Sequence, residues 1–490
     1  MKTNLKSILI LVALLVLQPA WAQQLTQVDV ERIIAQAAAR ANQISPKSLI
    51  AVIDREGFVL GVWNVSGGAP TEKEIGGAIS KAGTAAFLSS DQNAFTTRTA
   101  GFIIQQNFPP GVRNKPPGPL VGVGFSQLPF SDVNRYKAPG SIPGGLGVRV
   151  PATSMNGSPG GVPLYKGGVL VGGVGVVGGG REGFLSGLDP DEDVALAGQI
   201  GFKPRWEILG SRVLIDGIRI PYILNSTIAP ALAIFYSIGN PVPPYTVRGS
   251  PPPFAWPVAT FGGVTGQLRQ PIINDPVAGT IDGQARLTAA EVTNIITKAA
   301  ARSKITRAGI RLQGTAPARV WICVVNNPTA NGVGPTVLGT FRTPDATVFS
   351  WDLAVQKART AVFFSNNERA FSTRTVGFLA QGMFPPGISG TPPGPFFFMQ
   401  EIVSTELTPG VPLNPNFPNG LTIFPGGFPL YRNGVLIGAI GVSGDGIDQD
   451  DIIGASGTVN FLPPPAIKAD RMGYRGARLP YAKFPRNPVL

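Results

Sequence analysis

The 490-residue sequence predicts an α+β protein built from two tandem copies of one domain. Two observations lead to this fold class. The first is self-similarity: FTTRTAGFIIQQNFPPGVRNKPPGP, from Phe95, matches FSTRTVGFLAQGMFPPGISGTPPGP, from Phe371, without a gap. The second is that helix-like and strand-like segments follow one another in the same order in both halves. Together they indicate a duplicated folding unit.

Each copy opens with an amphipathic helix. LTQVDVERIIAQAAARA and LTAAEVTNIITKAAARS carry apolar residues at three- and four-residue spacing. Thr26 and Thr288 are the expected N-caps. Strand-like runs follow, and the residues REG at 55–57 predict a hairpin turn in the first copy. The second copy has a longer turn with Gly and Pro at that place.

The rest of each copy predicts a helix, a hairpin and a closing helix. The helical segments are KAGTAAF, from Lys81, and KARTAVF, from Lys357. The two-residue turns of the hairpins are Gly-Gly in the first copy and Asn433-Gly434 in the second, both suited to tight β-turns. Acid-rich helix starts and similar tails, GIRIPY and GARLPY, follow in turn.

The repeat sets the domain boundaries. Residues 223–286 have no counterpart elsewhere and contain a Pro-Pro-Pro run, which predicts an inter-domain connection. The predicted units are a signal peptide at 1–22, a first domain with its tail at 23–222, the proline-rich connection at 223–286 and a second domain with its tail at 287–490.

The N-terminus predicts export. Lys2 and Lys6 precede the apolar run 8–17, and the small-residue pattern Ala-Trp-Ala ends at Ala22, where cleavage is expected. No later segment offers about 20 apolar residues free of Gly, Pro and charge, so no transmembrane segment is predicted. Cys323 is the only cysteine, which excludes an intramolecular disulfide. The expected location is the periplasm or the exterior.

Composition narrows the function classes. The sequence has no histidine, which excludes Ser-His-Asp, Cys-His and His-based zinc sites. Cys323 lies in a predicted strand interior, where a buried inert thiol is expected. No catalytic constellation, metal site or specific nucleic-acid motif is predicted. The formal charge of +13 suits polyanions, acidic membranes or anionic small molecules, or serves solubility alone.

Three motifs of the second copy carry a family resemblance. They are KARTA from Lys357, PGGFP from Pro425 and GVLIGAIGVSG from Gly434, and together they resemble the GlcG/HbpS haem-binding family. The first copy departs from these motifs at Gly83 and, in the last motif, at Gly173 and Val177. The resemblance implies a small antiparallel sheet flanked by helices, association into dimers or larger assemblies, and haem or corrinoid binding in some members. It does not imply a well-defined enzyme.

A haem complex would need an iron ligand other than histidine, such as Tyr, Met, Lys, a hydroxyl or water. Tyr165 and Tyr431 hold the same place in the two PGGxPLY segments, where packing of the ring is the alternative role. Met383 is a thioether candidate in the second copy only, because Asn107 takes its place in the first. Core packing is the alternative for Met383.

Arg98 and Arg374 are candidates to pair with the haem propionates, with an ion pair as the alternative. Lys81 and Lys357 are further candidates for the same contact. The predicted function is that of an exported haem-binding protein. The alternatives are a binder of a non-haem small molecule and a ligand-free assembly protein. The predicted assembly is a homo-oligomer or an intramolecular pseudo-dimer whose repeats pack about a pseudo-twofold axis.

Overall fold

The computed structural model describes residues 23–66, 68–121, 155–180, 187–224, 237–399 and 419–483. The predicted signal peptide lies outside the described residues. No helix in the described part of the chain is both long and apolar enough to cross a bilayer.

The first repeat follows the predicted order of helices and hairpins. Its elements are α1 (Gln27–Ile44), β1 (Leu49–Asp54), β2 (Val59–Asn64), α2 (Glu72–Leu88), α3 (Thr97–Ile103), β3 (Gly161–Lys166), β4 (Val169–Val177), α4 (Pro190–Gly198), and the tail strands β5 (Leu214–Ile215) and β6 (Ile218–Arg219).

The connection between the repeats adds strands of its own. These are β7 (Asn240–Pro241), β8 (Val258–Phe261), β9 (Val264–Gln270), β10 (Thr280–Ile281) and β11 (Gln284–Ala285). Strand β7 extends the first sheet, whereas β8 and β9 extend the second. The connection is therefore part of both folded units.

The second repeat has the same order of elements. They are α5 (Ala289–Ile305), β12 (Val320–Asn326), β13 (Val337–Arg342), α6 (Phe349–Phe363), α7 (Thr373–Leu379), β14 (Gly427–Arg432), β15 (Val435–Gly444), α8 (Ile447–Gly457), and the tail strands β16 (Gly473–Tyr474) and β17 (Ala477–Arg478).

Each repeat is a small antiparallel sheet flanked by helices, as predicted. The strand orders are β3-β4-β1-β2-β7 and β14-β15-β12-β13-β9-β8. Helix α2 packs on β4, and α6 packs on β15. Glycine permits this close packing: a Cβ at Gly175 would lie 2.2 Å from the Ala78 carbonyl oxygen, and one at Gly441 would lie 2.0 Å from that of Ala354.

Local sequence signals predicted the turns more accurately than they predicted where the helices begin. Asn433 and Gly434 have φ values of 49° and 85°, as a type I′ hairpin turn requires. Helix α2, however, begins at Glu72, nine residues before the KAGTAAF segment, because Thr71 and Glu74 form a capping box. Helix α6 likewise begins before KARTAVF, at Phe349.

The two repeats pack directly on each other. The ring of Phe87 stacks on that of Phe349 with centroids 6.3 Å apart, and the Asn93 side chain donates to the Ile310 carbonyl oxygen at 2.6 Å. A twofold arrangement would also pair Phe363, the counterpart of Phe87, with Lys73, the counterpart of Phe349. Both of these side chains are exposed instead. The predicted contact between repeats is thus present, but the predicted twofold symmetry is wrong at this contact.

The loop before β12 explains the one-sided packing. Residues 306–319 separate α5 from β12, whereas only residues 45–48 separate α1 from β1. This longer loop carries Arg311, whose guanidinium donates to the Ser89 carbonyl oxygen in the first repeat. The first repeat has no equivalent loop to return the contact.

Candidate functional site

A cleft of about 770 Å³ lies between the two repeats. One wall is the proline-rich segment 116–119 of the first repeat, and the second repeat contributes Phe378, Phe424 and Leu479. Apolar clefts of a few hundred cubic ångströms with a small number of polar groups are typical of small-molecule sites. The polar residues that line the cleft include Arg374, Asp448, Asp470, Arg478, Tyr481 and Lys483.

Arg374 lines the cleft in an ion pair. It is the second residue of α7; its Nε donates to Asp451 and its Nη2 to Asp448, each at 2.7 Å. Burial opposes the guanidinium charge, but the two aspartates outweigh burial and raise the pKa of Arg374. The ion-pair alternative therefore describes Arg374 in this structure, and contact with a propionate stays a prediction.

Two further cations lie at the rim of the cleft. Arg478 and Lys483 are both exposed. The Nε of Arg478 donates to the Asp470 carbonyl oxygen at 2.6 Å, and the ammonium of Lys483 contacts Asp448. Exposed cations beside an apolar cleft attract anionic ligands.

The hydroxyl of Tyr481 is buried without a hydrogen-bond partner among the described residues. Its ring meets that of Phe428 edge-on, with centroids 5.6 Å apart. Burial raises the pKa of Tyr481. The counterpart in the first repeat, Tyr222, accepts a hydrogen bond from the Gln199 side chain at 3.3 Å. Thr458 takes the place of Gln199 and donates instead to the Ala455 carbonyl oxygen.

A second buried polar group lies beneath the joint between the repeats. The Lys357 ammonium donates to Asp450 Oδ2 and to the Val442 carbonyl oxygen, both at 2.8 Å. Asp450 Oδ1 has no partner in the described residues. Burial raises the pKa of Asp450 to about 6 although Lys357 lowers it, and burial also lowers the pKa of Lys357. Both residues line a small cavity of about 40 Å³.

The tyrosines chosen from the sequence lie elsewhere. The hydroxyl of Tyr431 donates to the carbonyl oxygens of Asn366 and Arg369, at 2.8 and 3.2 Å. That of Tyr165 donates to the Ser90 carbonyl oxygen at 2.7 Å. Both rings are buried, and burial raises the pKa of each hydroxyl. These contacts match the packing alternative, and iron ligation by either tyrosine stays a prediction.

The other candidates are also scattered. Met383 is partly buried just before Phe384 and does not line the cleft. In the first repeat, Lys81 pairs with Asp191 at 3.0 Å, and Arg98 pairs with Glu192 at 2.7 Å.

Both first-repeat pairs are almost fully buried. The structure thus brings only Arg374, among the sequence-predicted residues, to the cleft.

Sequence reasoning missed Tyr481, Arg478 and Lys483. A signal was present, because the tails GIRIPY and GARLPY are duplicated at identical spacing. In both repeats the closing tyrosine of this tail is buried. What the repeat does not reveal is that the tail of the second copy folds back to line a cleft.

Comparisons with known proteins agree with the resemblance in the second repeat. The HbpS-like family, described as haem degrading protein HbpS-like, matches residues 297–458. The match lies within the second repeat, and the resemblance of the first repeat stays a prediction. Curated proteins gave no significant match.

Several solved structures are similar to part of the chain. A PduOC:heme complex is 23% identical and has a TM-score of 0.25, covering 36% of this chain and 96% of its own. Klebsiella pneumoniae protein ORFY is 19% identical with a TM-score of 0.25, covering 39% and 97%. A double mutant of Streptomyces reticuli HbpS is 19% identical with a TM-score of 0.22, covering 38% and 95%.

Proposed function

We propose that this chain, whose residues 297–458 match the HbpS-like family, binds haem in the cleft between its repeats. The observation that carries the proposal is a cleft of about 770 Å³ that combines apolar walls with exposed cations. A tetrapyrrole is flat and largely apolar and carries two anionic propionates. Its apolar ring would pack against Phe378 and Phe424, and its propionates would pair with Arg478 and Lys483.

The iron ligand is proposed to be Tyr481. The sequence contains no histidine, and Tyr is an established alternative ligand to haem iron. A buried hydroxyl without a partner is a group that a bound metal would satisfy. Bound haem would supply a redox-active iron, while the side chains of the cleft would hold its carboxylates and exclude water from the ring.

A hemin titration tests this assignment. We expect the wild-type chain to shift the Soret band of hemin and Tyr481→Phe to change or abolish that shift. Tyr431→Phe tests the ligand expected from the sequence. Tyr222→Phe, the matched change in the first repeat, should leave the spectrum unchanged. An unchanged spectrum in Tyr481→Phe together with a changed one in Tyr431→Phe would move the ligand to Tyr431.

The proposed contacts between the cations and the propionates are tested by measuring the affinity for hemin. Arg478→Gln and Lys483→Gln should weaken binding without moving the Soret band, because they remove contacts to the propionates rather than to iron. Arg374→Ala should weaken haem binding by about 1.5–3 kcal/mol if the contact between the guanidinium and a propionate is shielded from water. A wild-type chain that leaves the hemin spectrum unchanged would reject haem and favour a non-haem ligand or a ligand-free assembly role.

Export is also proposed, from the pattern of residues 1–22. Expression in a bacterial host should yield a mature chain that begins at Gln23 in the periplasm or the medium. Mass spectrometry of the purified chain checks this, and a retained N-terminus would contradict it.

A further inference from the structure

The tail of the second repeat concentrates positive charge. Residues 468–483 contain five lysines and arginines and one acidic residue, a net charge of +4. The equivalent residues 209–224 of the first repeat contain two arginines and one acidic residue, a net charge of +1. Much of the added charge lies around β16 and β17. This basic hairpin, residues 470–478, exposes Arg471, Arg475 and Arg478.

The three arginines have no acidic side chain to neutralise them. None of them forms an ion pair in the described part of the chain. The Nη1 of Arg475 donates to the Pro393 carbonyl oxygen at 2.8 Å, and the Nε of Arg478 donates to that of Asp470. These backbone contacts fix two of the guanidinium groups but leave their charge uncompensated.

The first repeat shows an equivalent arginine in a structural contact. The guanidinium of Arg212, the counterpart of Arg471, stacks on the ring of Trp206 at 4.0 Å from its centroid. Pro465 takes the place of Trp206 in the second repeat, and the Arg471 side chain has no hydrogen-bond, ion-pair or ring partner among the described residues. Arg471 lines a shallow pocket of about 450 Å³ together with Arg478.

The turn of the hairpin differs in the same direction. Its first residue is Asp216 in the first repeat and Arg475 in the second, with φ values of 50° and 44°. Aspartate adopts this left-handed conformation more readily than arginine does. Residues kept in an unfavourable backbone conformation cluster at functional sites. The exchange places a third exposed cation at the tip of the basic hairpin.

The chemistry of the arginines favours phosphate groups on an extended surface. A guanidinium donates two parallel hydrogen bonds to phosphate oxygens. The pocket is open to solvent, so a single phosphate ion would be screened and held weakly, whereas a surface with many phosphates contacts all three arginines at once. Sites for single-stranded nucleic acid also present aromatic rings to the bases, but Tyr474 packs its ring against Phe384.

We propose that the basic hairpin docks this chain on the acidic phospholipid headgroups of a bilayer. The hairpin forms part of the rim of the cleft, because Asp470 and Arg478 line both the cleft and the shallow pocket. Docking therefore brings the apolar walls of the cleft to a surface from which apolar ligands can enter. The docking itself is independent of the ligand proposed for the cleft.

Vesicle flotation of the full chain tests the surface. We expect the wild type to float with vesicles of phosphatidylglycerol and phosphatidylcholine in equal parts, but not with phosphatidylcholine alone, and to dissociate as salt rises. The double variant Arg471→Gln/Arg475→Gln should lower the partition coefficient about 30-fold, at about 1 kcal/mol for each charge near the surface. Neither residue lines the cleft, so its hemin titration should match that of the wild type.

The matched control is Arg212→Gln/Arg219→Gln, which removes two exposed charges from the tail of the first repeat and should leave flotation unchanged. Thermal melts confirm that each variant is folded. Equal losses in the two double variants would show that net charge alone drives binding, and a wild type that ignores acidic vesicles would reject the proposal. Displacement by inorganic phosphate at constant ionic strength, or binding to a DNA duplex without binding to vesicles, would overturn the lipid assignment.

Discussion

The two repeats place a buried lysine–aspartate pair at the same point of the fold but surround it differently. In the first repeat, Asp191 Oδ2 accepts from Lys81, and its Oδ1 accepts from the backbone N–H groups of Gly179 and Gly180 at 2.9 Å. In the second repeat, Asp450 Oδ2 accepts from Lys357, but its Oδ1 has no partner in the described residues.

One substitution accompanies the difference. Asp445 stands where the first repeat has Gly179. Its carboxylate pairs with Arg311 and accepts from the Arg319 backbone N–H at 2.9 Å. Its backbone carbonyl oxygen also accepts from the Gly309 N–H at 2.5 Å, so Asp445 is held by the loop that joins the repeats. The tail tyrosines differ in the same way. The Gln199 side chain donates a hydrogen bond to the Tyr222 hydroxyl, whereas the Tyr481 hydroxyl has no partner in the described residues.

This comparison shows that the two repeats satisfy equivalent buried polar atoms differently. Buried polar atoms without partners are rare and costly, and they are tolerated where a site requires them. In the first repeat, the atoms equivalent to Asp450 Oδ1 and the Tyr481 hydroxyl are satisfied within the fold. The second repeat, which also carries the family motifs, keeps them unsatisfied beside cavities.

The largest expected effect is loss of the Lys357 charge. Lys357→Met leaves a buried carboxylate without its only side-chain partner and should destabilise the protein by about 3–5 kcal/mol. Lys81→Met should cost less, because Asp191 keeps two backbone donors. Urea unfolding at neutral pH measures both variants, and a greater loss in Lys81→Met would contradict the comparison.

The next effect concerns pH. The pKa of Asp450 is raised to about 6 in the folded chain, so folding favours the uncharged acid. Its stabilising contribution is complete below the unfolded value of 3.8 and is lost as pH rises through about 6, a change of roughly 3 kcal/mol at most.

The side chain of Asp450→Asn cannot titrate. We therefore expect the free energy of unfolding of the wild type, relative to this variant, to fall as pH rises from 3.8 through about 6. Urea unfolding as a function of pH measures the difference. A stability difference between the wild type and Asp450→Asn that does not change with pH would contradict the raised pKa of Asp450.

A smaller effect is expected at the joint. Glu56 of the first repeat accepts from Arg342 at 2.9 Å and from Arg269 of the connection at 3.2 Å. Burial raises its pKa, but the two arginines outweigh burial and lower it to about 2. The stabilisation is therefore present above the unfolded value of 4.5 and is lost as pH falls toward 2.

Glu56→Gln should cost about 1–2 kcal/mol, because the side chain is 23% exposed and partly screened. The change should also alter tryptophan fluorescence, since Arg269 lies 4.3 Å from the ring of Trp256. Glu72→Gln, at the exposed start of α2, is the control. A fluorescence change of the same size in both variants would argue against a local role for Glu56.

The smallest effect separates the two tail tyrosines. Tyr222→Phe removes the acceptor of the Gln199 side chain and should cost about 1 kcal/mol. Tyr481→Phe breaks no hydrogen bond of the described structure and should leave the melting temperature nearly unchanged. Equal losses in thermal melts would show that Tyr481 has a partner in solution.

The sequence by itself determined the duplication, the order of elements and the sheet class, because apolar periodicity and turn residues act over a few positions. The turn at Asn433-Gly434 and the capping residues Thr26 and Thr288 are local signals of this kind. The family motifs likewise placed the resemblance in the second repeat.

Only the tertiary structure decided which side chains meet. Tyr431 and Tyr165 hold equivalent places in the sequence, yet packing turns both hydroxyls to backbone carbonyl oxygens. Tyr481 lines the cleft because the tail of the second repeat packs beside α7 and the first repeat closes the opposite wall. The one-sided joint depends on the long loop that carries Arg311. Contacts between residues hundreds of positions apart depend on how whole surfaces fit, and no periodicity in the chain encodes that fit.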